Sequence, residues 1–332
     1  MTSVAIIGAG ISGLVAARGL GEHAEVTVFE KSRGVGGRMA TRRSGQEDTS
    51  LQFDHGAQFF TARSPEFRAF LEPLIAREAV ACWNARFAEM KRGTLQRSWQ
   101  WSDAKPHYVG VPGMSAVGRA LAVDIDVRLA TTVGKIEEQG DKWRLKEKSG
   151  EALGDFDWVI FSAPAVQTAV LLPDACALAA ATEVSMLPCF ALMLGFAEPL
   201  ALEWQAARVL GADISWISVD SSKPQRPGGF RLVVHSTNAW AAENLELAPE
   251  RVLEHLLAEA SEALGENART AAHIALHRWR YANLARRSDD VSVVEADKRL
   301  AVCGDWLVHG RIEAAFQSAR RMLQSLVPLL VK

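Results

Sequence analysis

Gly8, Gly10 and Gly13 form a G-x-G-x-x-G turn, and no other feature constrains the fold of this chain so tightly. The turn follows a short apolar run, Val4 to Ile7, which reads as a strand. It opens a run rich in Ala, Leu and Val, Ile11 to Leu20, which reads as a helix. Glu25 to Phe29 then alternates into a second strand. In such a β-α-β unit the first glycine permits the tight turn. The second lets a pyrophosphate approach the backbone, and the third lets helix and strand pack closely. The helix N-terminus offers free N–H groups and partial positive charge to the phosphates. Glu30 ends the second strand, where a carboxylate accepts hydrogen bonds from ribose hydroxyls and disfavours a 2′-phosphate.

Length and charge bound the rest. The 332 residues suffice for two lobes with separate cores. The net charge of -2 gives no reason to expect nucleic acid or an anionic membrane surface as a partner. No stretch has the long uncharged apolar character of a membrane span. The start, MTSVAIIGAG, runs straight into the first strand, so no signal peptide is expected. Cys82, Cys176, Cys189 and Cys303 are scattered without a C-x-x-C pair and read as reduced thiols of a cytoplasmic protein. The eight histidines show no metal-ligand spacing, so no metal site is expected.

Farther along, a helix is expected from Pro65 to Arg77, and strands and hairpins from Val127 to Phe161. Phe190 to Phe196, Ile214 to Val219, Phe230 to His235 and His273 to Trp279 read as strands of a second lobe, with an amphipathic helix over Pro249 to Leu264. The chain then returns with the strand Leu300 to Cys303 and a last helix from about Ile312. That helix has Ile312, Ala315, Phe316, Ala319, Met322, Leu323 and Leu326 on one face. The expected division is residues 1–64, 106–165 and 290–332 in a cofactor-binding domain, and 66–105 and 166–289 in a substrate domain.

Three further segments favour FAD over NAD: KSRGVGGRM, FDHGAQFF and CGDWLVHGRIEAAFQSA. FAD needs protein groups far from its pyrophosphate. Asp305 can hold ribityl hydroxyls, and the helix from Ile312 can aim its N-terminus at the flavin N1/O2 edge, where negative charge collects on reduction.

The spacing E-x-x-R-x-x-G-G-R from Glu30 to Arg38, then D-x-G-A-Q from Asp54 to Gln58, with a C-terminal G-D and E-A-A, resembles the flavin-containing amine oxidase superfamily. The resemblance implies an α/β fold. It pairs a Rossmann-type FAD-binding domain of the amine oxidase and p-hydroxybenzoate hydroxylase kind with an α+β substrate domain on an antiparallel sheet. It implies noncovalent FAD held by Gly8, Gly10, Ile11, Ser12 and Gly13, by Glu30 and Lys31, and by Gly37, Arg38 and Met39. Ala57, Gln58, Val133, Ala163, Asp305, Ile312 and Glu313 complete the expected cofactor set.

Within the superfamily the chain most resembles the bacterial renalases, through KSRGVGGRM, GAQFFTAR, YVGVPGMSA, the His235 and Trp240 pair, HRWRYA and CGDWLVHGRIE. That resemblance implies oxidation of misreduced dihydronicotinamide isomers to NAD(P)+, with molecular oxygen as the electron acceptor and hydrogen peroxide as product. Three features speak against amine chemistry. Arg311 stands where amine oxidases place a cage tyrosine, and would repel an ammonium. No lysine occurs from Ser149 to Ser222, the stretch in which amine oxidases carry one facing flavin N5. No cysteine follows Asp305 to attach a flavin. The expected substrate pocket is Gln58, Phe59, Phe60, Thr61, Tyr108, His235, Trp240, Trp279 and Arg311. His235 is expected there as a donor to a carboxamide or ribose. Arg278 and Arg280 read equally well as an exposed strand face or as neighbours of phosphates. Oxidation of a small amine, or a non-catalytic flavin-binding redox role, are the alternative readings.

Overall fold

The structure is a computed structural model and describes residues 1–44, 51–285 and 293–330. It divides into two compact units: Met1–Arg38 with Gly118–Met186 and Leu284–Lys332, and Met39–Val117 with Leu187–Asn283.

The first unit is built on a six-stranded sheet. Its strand order is Val294–Glu295, Leu300–Val302, Trp158–Phe161, Ser3–Ile7, Glu25–Phe29, Asp126–Arg128. All pairings are parallel except that of Val294–Glu295. The central strands are almost wholly buried, as a parallel sheet covered on both faces requires. The helix Ile11–Leu20 packs so closely on the last helix, Ile312–Leu330, that a Cβ at Gly19 would lie 2.5 Å from Leu323. Ala315, Phe316, Ala319, Met322 and Leu326 are buried on that last helix, as their spacing requires, while Leu323 is only half-buried.

The second unit is built on a seven-stranded, mostly antiparallel sheet. Its order is His273–Leu284, Met186–Phe196, Phe230–Ser236, Ile214–Val219, Ala206–Leu210, Arg86–Lys91, Thr94–Gln100. The helix Pro249–Leu264 covers one face. Val252, Leu256 and Ala260 pack there with Leu192, Leu194, Ile217, Leu232 and Val234. Alternation along the strands sends Met193 and Val233 to the other face, where Phe53 lies on them.

The unit boundaries differ from those expected. Residues 39–64 and 106–117 belong to the second unit. Long-range pairing takes them there: Phe53 joins the sheet core, and Tyr108–Gly110 pairs with Val80–Cys82. The Arg86–Lys91, Thr94–Gln100 and Ala206–Leu210 strands were not legible beforehand. Arg86–Lys91 has no clean alternation, Thr94–Gln100 is exposed almost throughout and so shows no apolar face, and Ala206–Leu210 is a short strand flanked by loops.

Candidate functional site

In the first unit the expected cofactor residues gather at the carboxyl ends of four adjacent parallel strands. Gly8 follows Ile7, Glu30 follows Phe29, Ala163 comes just after Phe161, and Asp305 just after Val302. Open α/β sheets bind their ligands at this edge.

The glycine turn is built as its sequence requires. Gly8 has φ +110, and its N–H donates to the Phe29 carbonyl at 2.8 Å. A Cβ at Gly13 would lie 2.0 Å from the Gly8 carbonyl oxygen, so only glycine fits. A Cβ at Gly10 would meet nothing within 4 Å. The space in front of Gly10 is therefore open, and the helix behind it has no side-chain cap. Ile11 and Ser12 begin that helix. An uncapped, positively polarised helix end facing open space suits a pyrophosphate. Gly37 lies backbone to backbone against the turn, 3.3 Å from Gly10 Cα for an added Cβ.

Glu30 is buried. Its Oε2 accepts from Ala9 N–H at 2.9 Å and its Oε1 from Ser32 N–H at 2.8 Å. Each carboxylate oxygen keeps a further lone pair for a ribose hydroxyl. Lys31 beside it is exposed. Arg38 Nη2 pairs with Asp305 Oδ1 at 2.5 Å. Trp306 Nε1 donates to the Ala163 carbonyl at 3.0 Å, tying the Ala163 turn to the Asp305 loop. Val133 is buried at a bulge of its strand. Arg311 is exposed at the mouth of the last helix with φ +81, an uncommon conformation for a side chain of that size, while Glu313, in the helix's first turn, is buried.

Met39, Ala57 and Gln58, also expected at the cofactor, belong to the second unit. There the segment from Phe53 to Phe60 runs over the sheet face opposite the helix. The His55 carbonyl accepts from two strands at once, from Trp279 Nε1 at 2.9 Å and His235 Nε2 at 3.2 Å. The ring of His55 stacks on Trp279 at 5.1 Å and meets His277 edge-on at 4.7 Å. The Phe59 ring packs on Trp101, His107 and Trp216. Thr61 is half-buried just beyond. Phe60 pairs through its backbone with Tyr108.

The histidines of this face are neutral at neutral pH. Burial pushes His55 down to about 3, helped by the neighbouring His277, and burial pushes His235 down to about 4. His107, His273 and His277 are lowered by burial as well. A carbonyl only accepts, so His235 carries its proton on Nε2 and presents Nδ1 as an acceptor. The expected donor role of His235 is thus corrected: its one N–H is held by His55. Trp216 Nε1 and His107 Nδ1 are buried without a partner. An unpaired buried donor costs about 1–3 kcal/mol.

Trp240 is not on this face. It packs on the helix side, stacked on His255 at 4.6 Å and against Phe190. The side chain of Gln58 is spent internally. It donates to the Asp54 and Gly56 carbonyls and accepts from Ser218 Oγ at 2.7 Å and Lys223 Nζ at 3.3 Å.

Below it lies an ion cluster that the sequence did not reveal. Lys223 pairs with Asp220 at 2.6 Å and Asp54 at 3.3 Å, and Arg226 pairs with Asp54 at 2.5 Å, all four fully buried. The stretch without lysine therefore stops one residue short of a buried lysine. Burial raises Asp220, whereas Lys223 and Arg226 overcome burial at Asp54 and hold it low. Arg278 and Arg280 both pair with the exposed Glu246. Asp213, His255 and Glu259 converge within 4.8 Å. A 2.8 Å hydrogen bond from His255 to Asp213, and one from the Asp213 N–H to Glu259, account for that convergence.

No helix among the described residues is long and apolar enough to cross a membrane. A family profile described as an NAD(P)-binding Rossmann-like domain matches residues 6–74. One described as flavin-containing amine oxidoreductase matches residues 77–323. Among solved structures, a protein from Exiguobacterium sp. 255-15 with the provisional name protoporphyrinogen oxidase superposes with a TM-score of 0.76 at 13% identity, covering 98% of this chain and 99% of its own. Putrescine oxidase, bound to putrescine, superposes with a TM-score of 0.68 at 14% identity, covering 99% of both chains. At these identities the superpositions establish the fold. With the family profile spanning most of the chain and the glycine cradle fitted to a dinucleotide, the chain belongs to the flavin-containing amine oxidoreductase family and binds FAD.

Proposed function

We propose that the protein oxidises misreduced dihydronicotinamide isomers, with hydride at ring position C2 or C6, to NAD(P)+ with release of hydrogen peroxide. The first unit serves as the FAD domain and the second as the substrate domain. The observation that carries the reading is the character of the second unit's sheet face. It is walled by Phe59, Trp216 and Trp279 and studded with histidines held neutral. Such a face suits a flat, uncharged ring.

Bound FAD supplies a hydride acceptor at N5 and a route for the electrons to oxygen. The protein's residues need do little else, because losing hydride aromatises the nicotinamide ring. Their task is to hold the ring and keep water away. The aromatic walls do the first and the burial of the face does the second. Neither role needs a nucleophile–base pair.

Family membership favours one other reading, oxidation of a small amine. The same burial that strips protons from five histidines would penalise a protonated amine in their midst. Anaerobic mixing separates the readings. The C2-hydride isomer should bleach the flavin within milliseconds to seconds, a rough range for enzymatic turnover. Ordinary 4-hydride NADH should react far more slowly. Fast bleaching by benzylamine or putrescine, with none by the C2 isomer, would restore the amine reading. Absence of oxygen consumption with every donor would leave a flavin-binding redox protein.

A further inference from the structure

Building on that reading, we propose that Trp216 and His235 together recognise the carboxamide of the nicotinamide ring. The indole N–H donates to the amide oxygen and His235 Nδ1 accepts from the amide N–H.

Trp216 and His235 are direct partners across the Ile214–Val219 and Phe230–Ser236 strands. Antiparallel partners point to the same side, with Cβ atoms about 4.5–5.5 Å apart. That side is the aromatic face: Trp216 packs on Phe59, and His235 is bonded to His55 in the same covering segment.

The two side chains present opposite polarity. Trp216 Nε1 is donor only, buried, and has no partner. His235 has its N–H fixed on the His55 carbonyl, which leaves Nδ1 as a lone-pair acceptor. An adjacent donor and acceptor on an otherwise apolar wall match a primary carboxamide, which carries one acceptor and one donor side by side. A carboxylate offers acceptors alone and would meet the His235 lone pair. A simple ketone would satisfy Trp216 and leave His235 unpaired. A primary ammonium would leave the Trp216 donor unmet.

The test is titration of the purified, flavin-loaded enzyme by calorimetry with three dinucleotides: NAD+, its 3-acetylpyridine analogue and its nicotinic acid analogue. In the wild type the acetyl analogue, which keeps the oxygen and lacks the N–H, should bind about tenfold more weakly than NAD+, the value of one hydrogen bond. The nicotinic acid analogue should be weaker still. In Trp216→Phe, NAD+ and the acetyl analogue should each weaken about tenfold while their ratio stays the same, because the lost donor serves the oxygen that both share. Equal affinities for all three dinucleotides in the wild type would overturn the proposal. So would Trp216→Phe binding NAD+ within twofold of wild type. Should that variant fail to hold flavin, the wild-type analogue ratios decide alone. If the C2-hydride isomer, whose ring is neutral, fails to bleach the flavin of the wild type in anaerobic mixing even at millimolar concentration, the dihydronicotinamide reading itself falls, and the proposal with it.

Discussion

Arg38 Nη2 and Asp305 Oδ1 meet at 2.5 Å although 267 residues separate them. The pair joins the Gly36–Gly37 segment, which lies against the phosphate turn, to the loop before the last helix. It also orients a buried carboxylate at the carboxyl edge of the sheet. Glu30, after another strand of the same edge, is a second buried carboxylate, anchored by two backbone N–H groups.

Glu30→Ala and Asp305→Ala should each weaken FAD binding by on the order of 1.5–3 kcal/mol, the value of a hydrogen bond to a charged group. Flavin absorbance of protein purified and dialysed at low FAD should show both variants depleted. Full flavin content with unchanged affinity in both would displace the cofactor from this edge.

Two glycines of one motif should fail differently. Gly10→Ala adds a methyl group in open space at φ -71, a backbone angle that alanine adopts freely. The apoprotein should keep its melting temperature and lose FAD affinity. Gly13→Ala drives a methyl group into the Gly8 carbonyl and should lower both. Paired thermal melts with and without FAD read the difference. Equal stability losses in the two apoproteins would contradict an open phosphate space at Gly10.

FAD should be noncovalent. Among the four cysteines only Cys82 is exposed. Burial pushes Cys303 up to about 12 and Cys176 and Cys189 up to about 11, so none of these three is a ready nucleophile. Acid precipitation should give a colourless pellet and free FAD in the supernatant, and a yellow pellet would refute this.

Stability should fall on acidification before the carboxylates titrate. His235 titrates at about 4 in the folded protein and at about 6.5 when unfolded. Between those values only the unfolded chain takes up the proton. Stability is therefore full above about pH 6.5 and drains as pH falls towards 4, by on the order of 3 kcal/mol for this residue. His55, at about 3, extends the loss further down. Urea midpoints at pH 7, 5.5 and 4.5 should fall in the wild type and fall less in His235→Gln, which keeps a donor for His55. Parallel slopes in the two proteins would mean that His235 is not buried as a neutral ring.

The chain's local chemistry determined the first unit. A glycine turn between strand and helix, a carboxylate ending the next strand, and Asp305 before an amphipathic helix are each short-range features. Turn geometry and the 3.6-residue period leave such segments little choice, and the folded sheet brings their ends together at one edge. The second unit's face depended on register. Period two says that His235 and Val234 look opposite ways, but not which way looks onto the aromatic wall. Pairing of distant strands made Trp216 the neighbour of His235, the short helix Asn238–Glu243 carries Trp240 to the helix side, and the covering segment lays His55 over both His235 and Trp279. Burial then set Lys223 in an ion cluster with Asp54, 169 residues away in sequence. Charge pairing and desolvation across such separations leave no mark in any one stretch of sequence, so only the tertiary structure could decide them.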